Sequence, residues 1–198
     1  VRRKQYIFGY GSLVSPKDVF RTLGRRVELI YPVELHGWIR DWGIAVDITK
    51  THRKFKLYKG CPGYVAALNI RRPESGEHPT NPNGVLFEVT DEDLAKLDKR
   101  EYCYERVDVT ADIIDPPANA IVYAYSGLDT YLLARKKGLE VVIVKLYQDI
   151  VTEGFTALGP SVYKKYVTTT SASDLAVDDR ILAVQTAKTR STRPDLQD

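Results

Sequence analysis

The sequence predicts a mixed α/β (α+β) domain, a curled, barrel-like β-sheet flanked by a few helices. Three observations carry that expectation. Apolar and β-branched runs of strand length outnumber the segments with helical spacing. Strands and helices do not alternate regularly, as a doubly wound parallel sheet requires. Hydrophobic residues make up 43% of the 198-residue chain, enough to bury the core of one domain. That domain is placed at residues 1–170, with a polar extension over residues 171–198.

Tyr6–Phe8 has strand chemistry, and Gly9 and Gly11 break it. Pro16, suited to the first turn of a helix, opens Pro16–Leu23, which Gly24 closes. Val27–Val33 alternates and is rich in β-branched residues, and His36–Val46 continues as strand around Gly37 and Gly43. Thr49–Lys59 is basic and polar, a loop or an exposed strand edge, whereas Gly63–Ile70 is an apolar run of buried-strand length. Prolines and charges make Arg71–Asn83 a surface loop before the strand Gly84–Val89.

Thr90 is a good N-cap for Asp91–Asp98, whose acidic start and basic end suit the helix dipole. Tyr102–Ile114 and Ala120–Tyr125 are strands on either side of Pro116-Pro117. In Leu139–Phe155, Val141–Val144 has strand propensity, but Val144, Tyr147, Ile150 and Val151 share one helical face. A helix ending at Gly154 is therefore expected. Pro160 starts a last helix through Tyr166, and Lys188–Asp198 reads as a frayed tail.

The first chemical signal is Gly9-Tyr10-Gly11-Ser12-Leu13. A strand that ends in such a turn presents backbone N–H groups with no ladder partner. Glycine lets that backbone approach a ligand closely, so the turn suits a carboxylate or an oxyanion. A tight strand–helix connection with no ligand has the same spacing. Three familiar glycine motifs fail here. A dinucleotide fingerprint needs Gly where Val14 stands, no Gly-Lys-Ser/Thr follows for a phosphate loop, and a nucleophile elbow needs glycines where Tyr10 and Val14 flank Ser12.

The second signal is Leu97-Asp98-Lys99-Arg100-Glu101, followed by Tyr104 and Arg106. Glu101 stands at a helix–strand junction, where a carboxylate can be held rigidly and aimed into a cleft. The plainer alternative is a surface glutamate paired with Arg100 or Arg106.

Together the two stretches resemble the γ-glutamylcyclotransferase superfamily, which includes the γ-glutamylamine cyclotransferases and AIG2-like proteins. A third matching stretch is Tyr147-Gln148-Asp149-Ile150 with Gly154 beyond it. Order and spacing fit over about residues 5–155. The Pro-Ser pair that precedes the last stretch in one branch is absent, and Val142-Ile143 stand nearby instead. The resemblance implies a γ-glutamylcyclotransferase-like fold, Glu101 as catalytic acid/base, Tyr10, Gly11, Ser12 and Leu13 as substrate cradle, and Tyr147 as a wall or hydrogen-bonding residue.

It also implies a reaction. The α-amino group of a γ-glutamyl moiety attacks its own γ-carbonyl, closing 5-oxoproline and releasing an amine or amino acid. The cradle amides would hold either the carbonyl oxygen or the α-carboxylate, and Ser12 would act by its backbone or a hydrogen bond rather than as nucleophile. The substrate would be a γ-glutamyl amino acid, peptide such as glutathione, amine or isopeptide. The alternative is a non-catalytic module binding a small acid or a protein on the same fold.

Composition narrows the partners. A net charge of +3, from 29 basic and 26 acidic residues, argues against nucleic acid. No apolar run reaches membrane-spanning length, and Val-Arg-Arg-Lys leads into a strand rather than a signal segment. Cys61 and Cys103, and the scattered His36, His52 and His78, lack ligand spacing, so neither a metal nor a cofactor is expected. Two reduced thiols in a cytoplasm fit best, with one Cys61–Cys103 disulfide as the alternative. A homodimer stays open.

Overall fold

The strands divide between two mixed sheets that curl around one core, as a computed structural model describes for residues 3–49 and 55–183. The expected frayed tail Lys188–Asp198 and part of the basic stretch Thr49–Lys59 lie outside the described residues. In chain order the elements are β1 (Lys4–Gly9), α1 (Pro16–Leu23), β2 (Ile30–Glu34), β3 (Ile39–Asp47), β4 (Phe55–Lys56), β5 (Tyr64–Arg71), β6 (Asn83–Val89) and α2 (Asp91–Arg100). There follow β7 (Tyr104–Asp108), β8 (Ala120–Gly127), β9 (Val141–Val144), α3 (Lys145–Ala157), α4 (Pro160–Thr169), β10 (Val177–Asp178) and β11 (Leu182–Ala183).

The first sheet has the order β2-β6-β1-β8-β7 and the second β10-β9-β5-β3, while β4 pairs with β11. The mixed, curled architecture matches the expectation, with the sheets open at their ends rather than closed into a barrel. At the centre, β1 runs antiparallel to β6 and parallel to β8, with Ile7 opposite both Phe87 and Tyr123. A strand covered on both faces needs apolar side chains throughout, and Tyr6, Ile7 and Phe8 are all buried. Polar bonds tie the two sheets together along β5. The Tyr104 hydroxyl donates to Leu68 O (2.8 Å), Ser126 Oγ to Ile70 O (2.8 Å) and Gly127 N to Asn69 Oδ1 (2.8 Å).

The helix signals are realised locally. Pro16 opens α1, Ser15 Oγ accepts from Asp18 N, and Gly24 ends the helix at φ 78°, in the left-handed region that favours glycine. Thr90 and Asp93 form a reciprocal capping box on α2, and Arg25 Nη2 holds the Asp93 carboxylate at 2.5 Å.

Two expectations are corrected. Val141–Val144 is not helical: it is β9, every residue buried, parallel to both β5 and β10. The helical face that suggested otherwise begins only where α3 starts, at Lys145. That helix also passes Gly154 and runs on to Ala157, with Gly154 buried against the Val14–Ser15 backbone. Tyr102–Ile114 is strand only over β7. Asp108 Oδ1 accepts from both Thr110 N (2.9 Å) and Thr110 Oγ1 (2.6 Å), which turns the chain out of the ladder.

Beyond α4 the chain returns to the second sheet. Asp178 of β10 bonds the Tyr58 hydroxyl and Arg180, and Ile181 is buried with Ile48, Val65, Val142 and Val144.

Candidate functional site

The turn after β1 is built for close approach. A Cβ on Gly9 would lie 2.9 Å from Leu13 O, and one on Gly11 would lie 3.1 Å from the Tyr147 hydroxyl. Gly11 caps a short 3-10 turn over Ser12–Val14, whose internal bonds are Val14 N to Gly11 O (3.0 Å) and Ser15 N to Ser12 O (3.1 Å). The N–H groups of Gly11, Ser12 and Leu13 have no hydrogen-bond partner among the described residues. Three donors on consecutive residues can serve an oxygen that carries negative charge.

Glu101 is the C-cap of α2. Its N–H bonds Leu97 O at 2.8 Å and its C=O accepts from Tyr104 N at 2.8 Å, so the backbone on both sides of the carboxylate is fixed. The side chain is 16% exposed and lies 3.1 Å from Arg100 Nη1. Arg100 Nη2 donates to Ser12 Oγ at 2.9 Å, so one guanidinium touches both sequence signals. Arg106 is engaged elsewhere, paired with Asp98 at 3.5 Å and stacked over Tyr123.

Tyr10, Gly11, Ser12, Leu13, Glu101 and Tyr147, the six residues singled out from the sequence, line one cleft of about 30 Å³. Sequence reasoning did not assign Phe8, Leu68, Tyr104 and Tyr125, which complete the lining. Strand alternation could have offered Tyr104 and Tyr125 as inward-facing positions, and Tyr104 stood within the second motif. Leu68 carried no signal, since it enters through the β5 ladder.

Tyr10 and Tyr125 are buried, and Tyr104 and Tyr147 are half-buried. Tyr10 donates to Tyr125 O (2.5 Å) and Tyr125 to Asp98 Oδ1 (2.8 Å), while the Tyr147 hydroxyl accepts weakly from Leu68 N (3.4 Å). Burial first, then neighbouring phenols and Glu101, pushes the Tyr10 and Tyr104 hydroxyls well above the usual range. Burial also raises Tyr147. All three therefore remain neutral hydrogen-bonding groups at physiological pH.

Elsewhere, an open hollow of about 350 Å³ beside α1 is lined by Pro16, Lys17, Phe20, Arg26 and Val27, with no carboxylate or converging donors. Among the described residues, no group of three or more His, Cys, Asp or Glu could hold a metal ion, and no helix is long and apolar enough to cross a membrane. Cys103 is buried, which pushes its thiol up to about 11.

Comparison with known proteins adds the family. Residues 7–139 match the family model described as gamma-glutamyl cyclotransferase, AIG2-like. Comparison with the curated proteins gives no match. Among solved structures, the uncharacterized protein loc79017 from Homo sapiens is 13% identical with a TM-score of 0.56, covering 90% of this chain and 95% of that one. A structure named gamma-glutamyl cyclotransferase is 13% identical with a TM-score of 0.54, covering 89% and 94%. At these identities the likeness is one of fold. The protein At3g28950.1 from Arabidopsis thaliana is 24% identical with a TM-score of 0.41, and the match spans 64% of each chain, less than two thirds of that protein's length. The family model covers more than half of the 198 residues, and the chain belongs to the gamma-glutamyl cyclotransferase, AIG2-like family.

Proposed function

We propose that this protein cyclises the γ-glutamyl group of a γ-glutamyl amino acid, peptide or amine to 5-oxoproline, releasing the free amine, with Glu101 as general acid/base. The observation that carries the reading is the pairing, in one narrow cleft, of a backbone-fixed carboxylate with three unbonded amides at Gly11–Leu13.

The chemistry needs little more than this. Nucleophile and electrophile belong to one molecule, so holding the glutamyl chain curled supplies much of the acceleration. The Glu101 carboxylate takes a proton from the α-ammonium, and the freed amine attacks the γ-carbonyl carbon. A C–N bond closes the ring and the carbonyl oxygen becomes an oxyanion, which preorganised N–H donors stabilise. As the oxyanion collapses, the original γ-amide C–N bond breaks and protonated Glu101 returns its proton to the departing nitrogen. The carboxylate then takes the second proton from the ring nitrogen and passes it to the freed amine, which leaves as an ammonium. The carboxylate is regenerated, and no oxidant, reductant or covalent enzyme intermediate is required. The neutral phenols of Tyr10, Tyr104 and Tyr147 exclude water and add no charge that would compete with the substrate.

The test is release of 5-oxoproline from γ-glutamyl-alanine, glutathione, γ-glutamyl-ε-lysine and a γ-glutamyl amine. Glu101→Gln preserves shape and removes the base. It is expected to lower kcat by at least about a hundredfold with the melting temperature retained. Turnover equal to wild type would remove Glu101 from the mechanism.

A further inference from the structure

Arg100 stands just behind the cleft lining, in contact with Ser12 and Glu101, and its donors are incompletely used. A guanidinium carries five N–H donors in a planar fork. Here Nη2 uses one on Ser12 Oγ (2.9 Å), while Nη1 is buried without a hydrogen-bond partner and meets Glu101 Oε1 only as a charge, at 3.1 Å. The side chain is 13% exposed, so water does little to satisfy it. Its charge also reaches the Tyr147 hydroxyl across the cleft, where it partly offsets the upward push of burial.

Arg40, which reaches the same turn through Tyr10 O (3.4 Å), differs in this respect. Its donors are taken by Asn83, Tyr166, Thr169 and Thr170.

We propose that Arg100 and Glu101 together form a binding site for an α-amino acid head group, with the Arg100 guanidinium anchoring the α-carboxylate of the γ-glutamyl substrate. This rests on the cyclotransferase reading above. An α-carbon bears a carboxylate and an ammonium side by side. Glu101 lines the cleft, and the Arg100 guanidinium stands directly behind it, 3.1 Å away and bonded to Ser12 of the same lining. The substrate carboxylate meets the idle donors of Arg100, a geometry in which a planar fork forms two parallel bonds. The same placement brings the α-ammonium to Glu101, the group that must accept its proton.

Two consequences follow. First, the Gly11–Leu13 amides are left for the γ-carbonyl oxygen, which removes the choice between carbonyl and carboxylate that the sequence left open. Secondly, the internal Arg100–Glu101 contact is exchanged for two substrate contacts.

The experiment compares wild type, Arg100→Gln and Arg100→Lys on the best substrate of the panel and on the same compound with its α-carboxylate converted to the carboxamide. Folding of each variant is checked by circular dichroism and thermal melting. Wild type is expected to prefer the carboxylate by about a hundredfold in kcat/KM. Arg100→Gln should lose that preference, its loss in kcat/KM falling through KM on the carboxylate substrate and exceeding the loss on the carboxamide, while Arg100→Lys keeps part of the preference. Equal losses on both substrates would mean that Arg100 only positions Glu101 or Ser12, and would overturn the anchor. So would a wild-type enzyme indifferent to the α-carboxamide, or one that responds instead to amidation of the leaving group.

Should no panel member be turned over, titration calorimetry with 5-oxoproline and 5-oxoproline carboxamide separates the two proposals. Carboxylate-dependent binding that Arg100→Gln abolishes keeps the anchor, while the silent panel counts against the cyclotransferase reading. Binding indifferent to both changes rejects the anchor.

Discussion

One methyl group at Gly11 measures how tightly the substrate cradle and α3 meet. A Cβ there would lie 3.1 Å from the Tyr147 hydroxyl, closer than side chains normally pack, with Leu68 Cβ next at an ordinary 3.7 Å. The hydroxyl holds only a 3.4 Å bond from Leu68 N, so it can give way without disturbing the core. Gly11→Ala is therefore expected to fold normally, with a melting temperature within about 2 °C of wild type. Its kcat/KM for 5-oxoproline release should fall about tenfold, as Tyr147 is driven into the cleft. Adding Tyr147→Phe removes the clashing oxygen and should recover most of the loss; a double variant as poor as Gly11→Ala would place the fault in the turn itself. At this scale the residues legible in the sequence were those whose type has a local reason. Gly11 permits close approach, and Glu101 ends a helix with a carboxylate. Arg100 was legible only as a charge that could pair with Glu101. Its second contact, Ser12 Oγ, lies 88 positions away in the chain, and no local pattern encodes it.

Elements decide whether those residues stay in place, and α2 matters most because Glu101 is its last cap. Its first turn is fixed by Thr90 Oγ1, which accepts from Asp93 N (3.2 Å), and by Asp93 Oδ2, which accepts from Thr90 N (3.1 Å). Burial pushes the Asp93 carboxyl upward, but the hydrogen bonds from Arg25 and Thr90 outweigh it, and the net shift is downward. A carboxyl held down in the folded state contributes stability above its ordinary range and loses it as the pH falls through the folded value. Thr90→Ala removes one half of the box at the end of the helix remote from the cleft. It should cost about 1 kcal/mol, or about 2–4 °C in melting temperature, with KM unchanged. A change in KM would show that the helix transmits strain to Glu101. Thr90 and the acidic first turn were readable because capping is local chemistry. Val141–Val144 was not, because four apolar β-branched residues leading into a helix look alike in either state until their neighbours are known. Those neighbours, β5 and β10, come from distant parts of the chain.

At the scale of the molecule, the class of fold was visible in the excess of strand-length runs, but the strand order was not. The parallel pairing of β1 with β8 joins residues more than a hundred positions apart, and only tertiary packing selects it. Arg40 shows how that order is held. A charge in an alternating strand is expected to face water, yet Arg40 is fully buried between Phe155 and Tyr166, its guanidinium carbon 5.1 and 4.7 Å from their ring centres. It donates to Asn83 O (2.6 Å) and Asn83 Oδ1 (3.1 Å) on β6, and to Tyr166 O (3.1 Å), Thr169 Oγ1 (3.0 Å) and Thr170 Oγ1 (2.8 Å) at the end of α4. One side chain thus fastens β3, β6, α3 and α4 behind the cradle turn. Arg40→Met keeps the stem and strands these acceptors without donors, which should cost at least about 3 kcal/mol, or about 6–12 °C in melting temperature. Arg40→Lys restores a charge but supplies only three donors from a single point, too few to reach β6 and the far end of α4 together. It should recover little of the loss, and both variants should show increased hydrogen exchange in α4 relative to β1 and β8. A lysine variant that melts with wild type would mean that charge alone, rather than the planar fork of donors, joins the helices to the sheets.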